Sequence, residues 1–133
     1  MYQASKAVIY FNNHFYLQLR DNNPNILYPN KWCFFGGRLI VGEKPEECLI
    51  RELKEEISFN PENFKLIYDW FNSETKTQIY FYLIKVNLFR IFNVNEGQKG
   101  EWVNINDLNK LLFAPDIKAM KEFIKTNSLD VFE

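Results

Sequence analysis

The stretch GRLIVGEKPEECLIRELKEEISF, residues 37–59, decides the fold of this chain. A glycine-bearing loop leads into a helix predicted over Pro45–Ile57, with proline near the first turn, where its missing N–H does no harm. At about 100° per residue the helix has two distinct faces. The apolar face, which is predicted to pack into a core, consists of Leu49, Ile50, Leu53 and Ile57. The acidic face consists of Glu52, Glu55 and Glu56.

The three glutamates of the acidic face lie close enough to repel one another. Like charges at i, i+3 and i+4 on a helix cost a few tenths of a kcal/mol per pair. Two interpretations are open, a solvated acidic face or a binding site for a cation that offsets the repulsion. The loop in front of the helix favours the cation. Carboxylate oxygens suit Mg²⁺, Mn²⁺ or Ca²⁺ rather than zinc.

The spacing within residues 37–59 resembles the Nudix box. That pattern is glycine, five residues, glutamate, seven residues, then R-E-apolar-x-E-E-x-G-apolar. The chain has the defining residues at the required places, namely Gly37, Glu43, Arg51, Glu52, Glu55 and Glu56. It departs at Ser58, where the pattern has glycine. Glycine at this place supplies a left-handed helix C-terminus, which other residues adopt at a cost of roughly 1 kcal/mol, and Asn60-Pro61 still ends the helix.

Two flanking segments extend the resemblance. A Trp-led strand at residues 32–35 precedes Gly36 and Gly37, with Phe35 where the family often has proline. Residues 96–102, EGQKGEW, resemble the EGQ-x-GEW segment of MutT-type members. The resemblance implies an α/β (α+β) fold, a Nudix-type α/β/α sandwich with a mixed β-sheet between helices. It covers most of the chain, which is expected to be a single Nudix domain over residues 1–133.

The resemblance implies Mg²⁺-dependent hydrolysis of a phosphoanhydride bond in a nucleoside diphosphate linked to another moiety, with Mn²⁺ as an alternative cation. The implied metal ligands are the backbone carbonyl of Gly36 and the side chains of Glu52, Glu55, Glu56 and Glu96. Family members differ in the general base, so Glu52 and Glu96 are both candidates. Arg51 is interpreted as a catalytic-site residue that orients a neighbouring carboxylate through paired hydrogen bonds. Gly37 and Glu43 are interpreted as structural residues of the box.

Three further residues are candidates for binding the substrate. Arg38 follows the glycines and Arg20 ends a predicted strand, so both are expected to reach a phosphate, with surface solvation as the alternative. Phe113 either stacks on a base or belongs to the core. MutT-type enzymes that discriminate oxidised guanine have an Asn shortly before the proline that opens the last helix. This chain reads LFAP at residues 112–115, without that Asn, so these residues do not support 8-oxo-dGTP as substrate.

The short chain and its EGQKGEW segment favour a (deoxy)nucleoside triphosphate, which would be converted to the monophosphate and pyrophosphate. Nucleotide sugars of the GDP-mannose kind and ADP-ribose are the alternative substrates. A different class is also open, a non-catalytic regulatory Nudix domain that binds nucleotide. Degenerate members usually lose one acidic position of the box, whereas this chain has Glu43, Glu52, Glu55 and Glu56. Catalysis is therefore favoured.

Composition agrees with a small enzyme. The chain has 133 residues, of which 47% are hydrophobic, enough to fill the core of one domain. A net charge of −1 gives no basic field for a nucleic-acid polymer, so the expected partner is a small nucleotide. Cys33 and Cys48 are predicted to be reduced, semi-buried thiols. With no signal peptide and no run of about 18 apolar residues, we expect a cytoplasmic enzyme without membrane contact, as a monomer or homodimer.

Alternating and periodic runs predict the remaining elements. Strands are predicted over residues 6–11, 15–20, 32–34, 64–71, 77–88 and 101–103, and further helices over 107–112 and 115–126. A long loop at residues 21–31 is a candidate functional loop. His14 is predicted to be a solvated residue of the turn between the first two strands. As the single histidine, it excludes a multi-histidine zinc site.

Overall fold

Seven strands and two α-helices account for most of the secondary structure in a computed structural model, which describes residues 1–133. The strands are β1 Tyr2–Phe11, β2 His14–Leu19, β3 Trp32–Cys33, β4 Phe35–Arg38, β5 Lys65–Asn72, β6 Thr77–Lys85 and β7 Lys99–Asn104. The helices are α1 Pro45–Ile57 and α2 Pro115–Asn127, and short 3₁₀ helices span Ile105–Lys110 and Leu129–Phe132. None of these helices is long and apolar enough to cross a bilayer.

All seven strands belong to one mixed sheet. The strand order is β3-β2-β1-β6-β5, and in addition β4 pairs with β1 and β7 pairs with β2. The β1–β6 pairing is parallel, while every other pairing is antiparallel. Strand β1 therefore has β6 along one side, and β4 followed by β2 along the other. This arrangement confirms the predicted mixed sheet.

The two faces of the sheet are covered by different helices. Because side chains alternate along a strand, β1, β2 and β6 each contribute to both faces. One face packs against α2 through a core that includes Ala4, Val8, Phe15, Leu17, Phe81, Ile117 and Met120. The other packs against α1 through a core that includes Ala7, Ile9, Tyr16, Phe35, Leu49, Leu53 and Ile57. The α/β/α sandwich is therefore confirmed.

Most predicted elements are present, with shifted ends. Helix α1 has the predicted bounds, and α2 is one residue longer than predicted. The predicted strand at residues 77–88 ends at Lys85, and the predicted helix at 107–112 is a 3₁₀ helix over Ile105–Lys110. Both cysteines are fully buried rather than semi-buried.

The prediction for His14 was wrong. Asn12 and Asn13 alone form the two-residue turn, with φ of 45° and 62°, the left-handed conformation that such hairpins require. His14 is the first residue of β2 and is half-buried. Its ring packs edge-on against Phe89, with centroids 4.8 Å apart. This contact could not be predicted from the sequence, because Phe89 lies in a distant loop.

The glycine segment that was predicted as a loop is strand β4. Gly36 lies opposite Lys6 and Gly37 opposite Ser5 in the antiparallel pairing with β1. Gly36 has a φ of +142°, and a Cβ atom there would lie 2.0 Å from the carbonyl oxygen of Ser5. Only glycine permits this close approach of two backbones. Strand β4 brings the glycines against α1 and so positions the site.

Candidate active site

Helix α1 presents the acidic residues, and its two ends are well defined. At the start, Glu47 accepts a hydrogen bond from the backbone N–H of Lys44 at 2.9 Å, and Pro45 occupies the first turn. At the end, Ser58 has a φ of 52° and a ψ of 38°, the left-handed conformation that glycine adopts more easily. The N–H of Ser58 donates to the carbonyl of Lys54 at 3.2 Å.

The three glutamates of the acidic face differ in exposure. The Glu55 side chain is 50% exposed and that of Glu52 is 14% exposed. Glu56 is buried, at 3% exposure, and its Oε1 accepts a hydrogen bond from the backbone N–H of Gly36 at 2.8 Å. The acidic face is thus not uniformly solvated. Its last member points inward against β4.

Burial changes the protonation of the inner carboxyls. Burial raises the pKa of Glu56 to about 8; Lys6 opposes this shift, while Glu52 and Glu96 add to it. The pKa of Glu52 is also raised by burial, against the effect of Arg51. Carboxyls with raised pKa values beside one another favour a bound cation, because the cation stabilises their charged form.

Arg51 contacts three carboxylates. Its Nε and Nη2 donate to Glu43 at 2.7 and 3.0 Å, and its Nη1 donates to Glu52 at 2.9 Å and to Glu55 at 3.4 Å. Its Nη2 also donates to the carbonyl of Arg38 at 3.1 Å. The hydrogen bond from Arg51 lowers the pKa of Glu43 to about 2. Arg51 therefore joins the loop before α1 to two glutamates of the acidic face.

Gly37 makes room for one of these glutamates. A Cβ atom at Gly37 would lie 2.5 Å from Oε1 of Glu52, closer than real contacts allow. Glu43 has a local contact of its own, since its Oε1 accepts from the N–H of Ile40 at 3.1 Å. Gly37 therefore lies against the acidic face of α1 and Glu43 against the loop before it, and their structural roles stay a prediction.

Glu96 lies in the connection between β6 and β7. Its backbone carbonyl accepts a hydrogen bond from Nε2 of Gln18 at 3.1 Å. The residue before it, Asn95, donates its backbone N–H to the carbonyl of Glu56 at 2.7 Å, so this segment lies against the end of α1. The fold thus brings Glu96 to the acidic face, which lies some 40 residues earlier in the sequence.

The donor atoms around α1 suit a hard divalent cation. They are all oxygens, and two of the carboxyls have pKa values raised by burial. No three carboxylates lie close enough together to hold one metal ion with these side-chain conformations. Arg51 pairs with Glu52 and Glu55, while Glu56 pairs with Gly36. Glu52, Glu55, Glu56, Glu96 and the carbonyl of Gly36 are the atoms available to hold a metal.

A cavity of about 230 Å³ lies on the other side of β4. Three cationic residues line it, and no carboxylate does; they are Lys6, Arg20 and Arg38. The rest of the wall contains neutral polar residues, namely Tyr28, Asn72, Thr75 and Thr77, and a few apolar ones. Gly36 and Gly37 also line this cavity, so only their backbone separates it from the carboxylates on α1.

The two predicted phosphate-binding arginines both face this cavity. Nε of Arg20 donates to the carbonyl of Leu27 at 2.8 Å, which ties Arg20 to the loop at residues 21–31. The guanidinium of Arg38 lies 4.0 Å from the ring centroid of Tyr2. Phe113 is placed elsewhere. It lines a separate cavity of about 470 Å³, and Tyr28 and Asn72 line both cavities.

A buried ion pair beside the cationic cavity was not predicted. Nζ of Lys6 lies 3.6 Å from Oδ2 of Asp116 and donates to the carbonyl of Phe34 at 3.1 Å. The second oxygen of Asp116, Oδ1, is buried without a hydrogen-bond partner. One signal was available in the sequence. Lys6 falls on the same face of β1 as Ala4 and Val8, where an apolar residue is expected.

The family profile described as the NUDIX domain matches residues 1–126. The chain belongs to the Nudix family. The match covers the box at residues 37–59 and the EGQKGEW segment, so the resemblance drawn from those motifs is confirmed.

Similar proteins place the chain among MutT-like Nudix hydrolases. It is 32% identical over 108 residues to the 8-oxo-dGTP diphosphatase of Escherichia coli K12, covering 78% of this chain and 80% of that protein. It is 40% identical over 85 residues to the 8-oxo-dGTP diphosphatase of Haemophilus influenzae, covering 62% and 61%. This Nudix protein is therefore a hydrolase of the class that acts on nucleoside diphosphate derivatives.

A solved structure shows the same fold. The MutT structure reported for Aliivibrio salmonicida and Vibrio cholerae superposes with a TM-score of 0.72 at 24% identity, covering 92% of this chain and 98% of that one. At this identity the likeness supports the Nudix fold alone. The chemistry of the site follows from the residues of this chain.

Proposed function

We propose that this Nudix hydrolase converts a (deoxy)nucleoside triphosphate to the nucleoside monophosphate and pyrophosphate, with Mg²⁺ as its cofactor. The likeness to two 8-oxo-dGTP diphosphatases supports a triphosphate substrate. It also adds 8-oxo-dGTP to the candidates, although the Asn of MutT-type enzymes that discriminate oxidised guanine is absent before Pro115.

The observation that carries this proposal is the position of Gly36 and Gly37. On one side, Gly36 bonds to Glu56 and Gly37 leaves space for Glu52. On the other side, both glycines line the cavity that contains Lys6, Arg20 and Arg38. A phosphate chain in that cavity would meet the three cationic residues, and the carboxylates of α1 would lie behind the backbone of the two glycines. Hydrolysis of a phosphoanhydride needs this combination.

Mg²⁺ would be held by Glu52, Glu55, Glu56, Glu96 and the carbonyl of Gly36, and Mn²⁺ fits the same oxygens. When bound, the cation neutralises charge on phosphate oxygens and lowers the pKa of water. Holding the cation requires deprotonated carboxylates. Among the proposed ligands, Glu56 has its pKa raised to about 8 by burial.

The side chains of the protein supply the remaining steps. Arg51 holds Glu52 and Glu55 on the same edge of α1. Glu52 or Glu96 accepts the proton of the attacking water. Arg20 and Arg38, together with Lys6, bind phosphate oxygens. Phe113 lines the neighbouring cavity, which shares Tyr28 and Asn72 with the cationic one, and there it would contact the base rather than the phosphates.

A substrate panel with Mg²⁺ tests the proposal. It contains the unmodified nucleoside and deoxynucleoside triphosphates, 8-oxo-dGTP, ADP-ribose and nucleotide sugars. We expect pyrophosphate release from a triphosphate, with ¹⁸O from labelled water in one product only. Glu52→Gln and Glu96→Gln are then measured separately. The general base is the residue whose substitution lowers kcat more while nucleotide affinity stays within about tenfold of wild type.

The same panel separates the alternatives. Release of a sugar phosphate or ribose phosphate would favour a nucleotide-sugar or ADP-ribose hydrolase. Nucleotide binding without release of orthophosphate, pyrophosphate or sugar phosphate from any compound would favour a regulatory Nudix domain. All acidic residues of the box are present, which supports the catalytic proposal.

A further inference from the structure

Asn95 joins the segment that carries Glu96 to the end of helix α1. Its backbone N–H donates to the carbonyl of Glu56 at 2.7 Å. Its side-chain Nδ2 donates to the carbonyl of Glu55 at 3.1 Å and to Oγ of Ser58 at 3.1 Å. The last carbonyls of a helix have no partner within the helix, so these bonds satisfy groups that would otherwise need water.

The segment before Asn95 has little regular structure to hold it in place. Thirteen residues, 86–98, separate β6 from β7, and none of them belongs to a strand or helix. The far side of Glu96 is fixed by β2. Gln18 bonds to the carbonyl of Glu96 at 3.1 Å, and the N–H of Gln98 donates to the carbonyl of Leu19 at 2.8 Å. Asn95 supplies the hydrogen bonds on the side of α1, where Phe92 of the same segment also packs against Phe59.

We infer that Asn95 and Ser58 are positioning residues for Glu96. Their hydrogen bonds set the distance between the Glu96 carboxylate and the glutamates of α1. The inference rests on the proposed function, in which Glu96 is a metal ligand or the base. Ser58 has a specific part in it. Its Oγ accepts the bond from Asn95, which the glycine found at this place in the family pattern cannot do.

Two properties of Ser58 can be separated by substitution, its left-handed backbone conformation and its hydrogen bond to Asn95. The left-handed conformation at Ser58, with φ of 52°, is easier for glycine than for serine or alanine. Ser58→Gly should therefore keep or raise the melting temperature while removing the hydrogen bond to Asn95. Ser58→Ala removes the same bond but retains the unfavourable conformation. A purely structural role would make activity follow stability in both variants.

The experiment compares Asn95→Ala, Ser58→Gly, Ser58→Ala and Glu96→Gln with Asn87→Ala, the same change at an exposed residue of the same loop. We expect Asn95→Ala to lower kcat about tenfold with KM within about threefold, and to weaken Mg²⁺ binding in a calorimetric titration without nucleotide. Both Ser58 variants should lower kcat about threefold. Of the two Ser58 variants, only Ser58→Ala should have a lower melting temperature than wild type. Asn87→Ala should match wild type.

The double variant Asn95→Ala/Glu96→Gln tests the route of the effect. If Asn95 acts through Glu96, the double variant should be no slower than Glu96→Gln alone. Effects that multiply would overturn the inference, as would an Asn95→Ala enzyme with wild-type kcat and Mg²⁺ affinity beside an impaired Glu96→Gln. In either case the hydrolase activity of the wild type would stand. A Glu96→Gln enzyme with full activity and Mg²⁺ affinity would refute the role of Glu96 and this inference with it.

Discussion

Arg51 donates two parallel hydrogen bonds to Glu43, from Nε to Oε2 at 2.7 Å and from Nη2 to Oε1 at 3.0 Å. Glu43 precedes α1 and Arg51 lies in its second turn, so the pair fixes the angle at which the loop enters the helix. The third nitrogen of the same guanidinium reaches Glu52 and Glu55. A single side chain thus couples the shape of the loop to the position of two proposed metal ligands.

Replacing Arg51 with Lys should therefore lower both stability and turnover. Lys keeps the charge but cannot make the paired bonds, since its ammonium is a point donor. We expect a loss of about 1–3 kcal/mol in unfolding free energy and at least a tenfold lower kcat. Denaturant melts and initial rates measure the two effects. Lys54→Arg, an exposed change on the same helix, is the control, and an Arg51→Lys enzyme as stable and active as this control would contradict the prediction.

The Glu43–Arg51 pair should make the stability of the protein depend on pH in the acid range. The hydrogen bond from Arg51 holds the pKa of Glu43 near 2, below its ordinary value of 4.5. The stabilisation is present above the ordinary value and is lost as pH falls towards the lowered one. At pH 6, Glu43→Gln should be less stable than wild type, and the difference should shrink towards pH 2. Denaturation midpoints across this range measure it, with Glu62→Gln, an exposed change, as control. A constant difference would refute the assignment.

Metal-free protein should lose stability as pH rises, for the opposite reason. Burial raises the pKa of Glu56 to about 8, above its ordinary 4.5, so folded protein holds a proton that unfolded protein releases between these values. The contribution is full below the ordinary value and is lost through pH 8, at a slope of at most about 1.4 kcal/mol per pH unit. Chelator-treated Glu56→Gln should lack this slope. Parallel slopes in wild type and variant would contradict the pKa shift.

Mg²⁺ should offset that loss above neutral pH. A ligand that binds only folded protein stabilises it by about 2.7 kcal/mol at a hundredfold excess over its Kd. The stabilisation should grow with pH, since the carboxylates must be deprotonated to bind. Thermal melts with Mg²⁺, Mn²⁺ or chelator at pH 6 and pH 8 measure it. Glu56→Gln should show less stabilisation and at least tenfold lower kcat. Melts indifferent to both cations would favour a solvated acidic face.

The buried Lys6–Asp116 pair should be costly to break from one side. Removing one partner leaves a buried charge unpaired, which typically costs about 3–5 kcal/mol. Asp116→Ala should therefore be far less stable than wild type. The double variant Lys6→Met/Asp116→Leu should recover much of the loss, while remaining slow on a nucleotide substrate if Lys6 binds phosphate. Urea melts and KM values separate these effects. A double variant less stable than Asp116→Ala would argue against an ion pair of this kind.

The sequence predicted helix α1 to the residue because periodicity, an N-terminal proline and the box spacing all agree there. It also predicted the acidic face, but not that Glu56 turns inward. That position depends on β4. Because two of its four residues are glycines, β4 shows no alternation of apolar and polar side chains. Lys6 and Asp116 are 110 residues apart, and neither suggests the other in the sequence. Local signals define the elements, whereas burial and pairing depend on which elements meet.

Both thiols of the chain are shut away from solvent and held protonated. Cys33 and Cys48 are fully buried, and burial raises the pKa of each to about 11. Because the thiolate is the reactive form, folded protein offers little to maleimide or peroxide. The natural chain therefore serves as its own background for site-directed labelling. A cysteine introduced in the 86–98 loop would carry a fluorophore or spin label without prior removal of the native thiols.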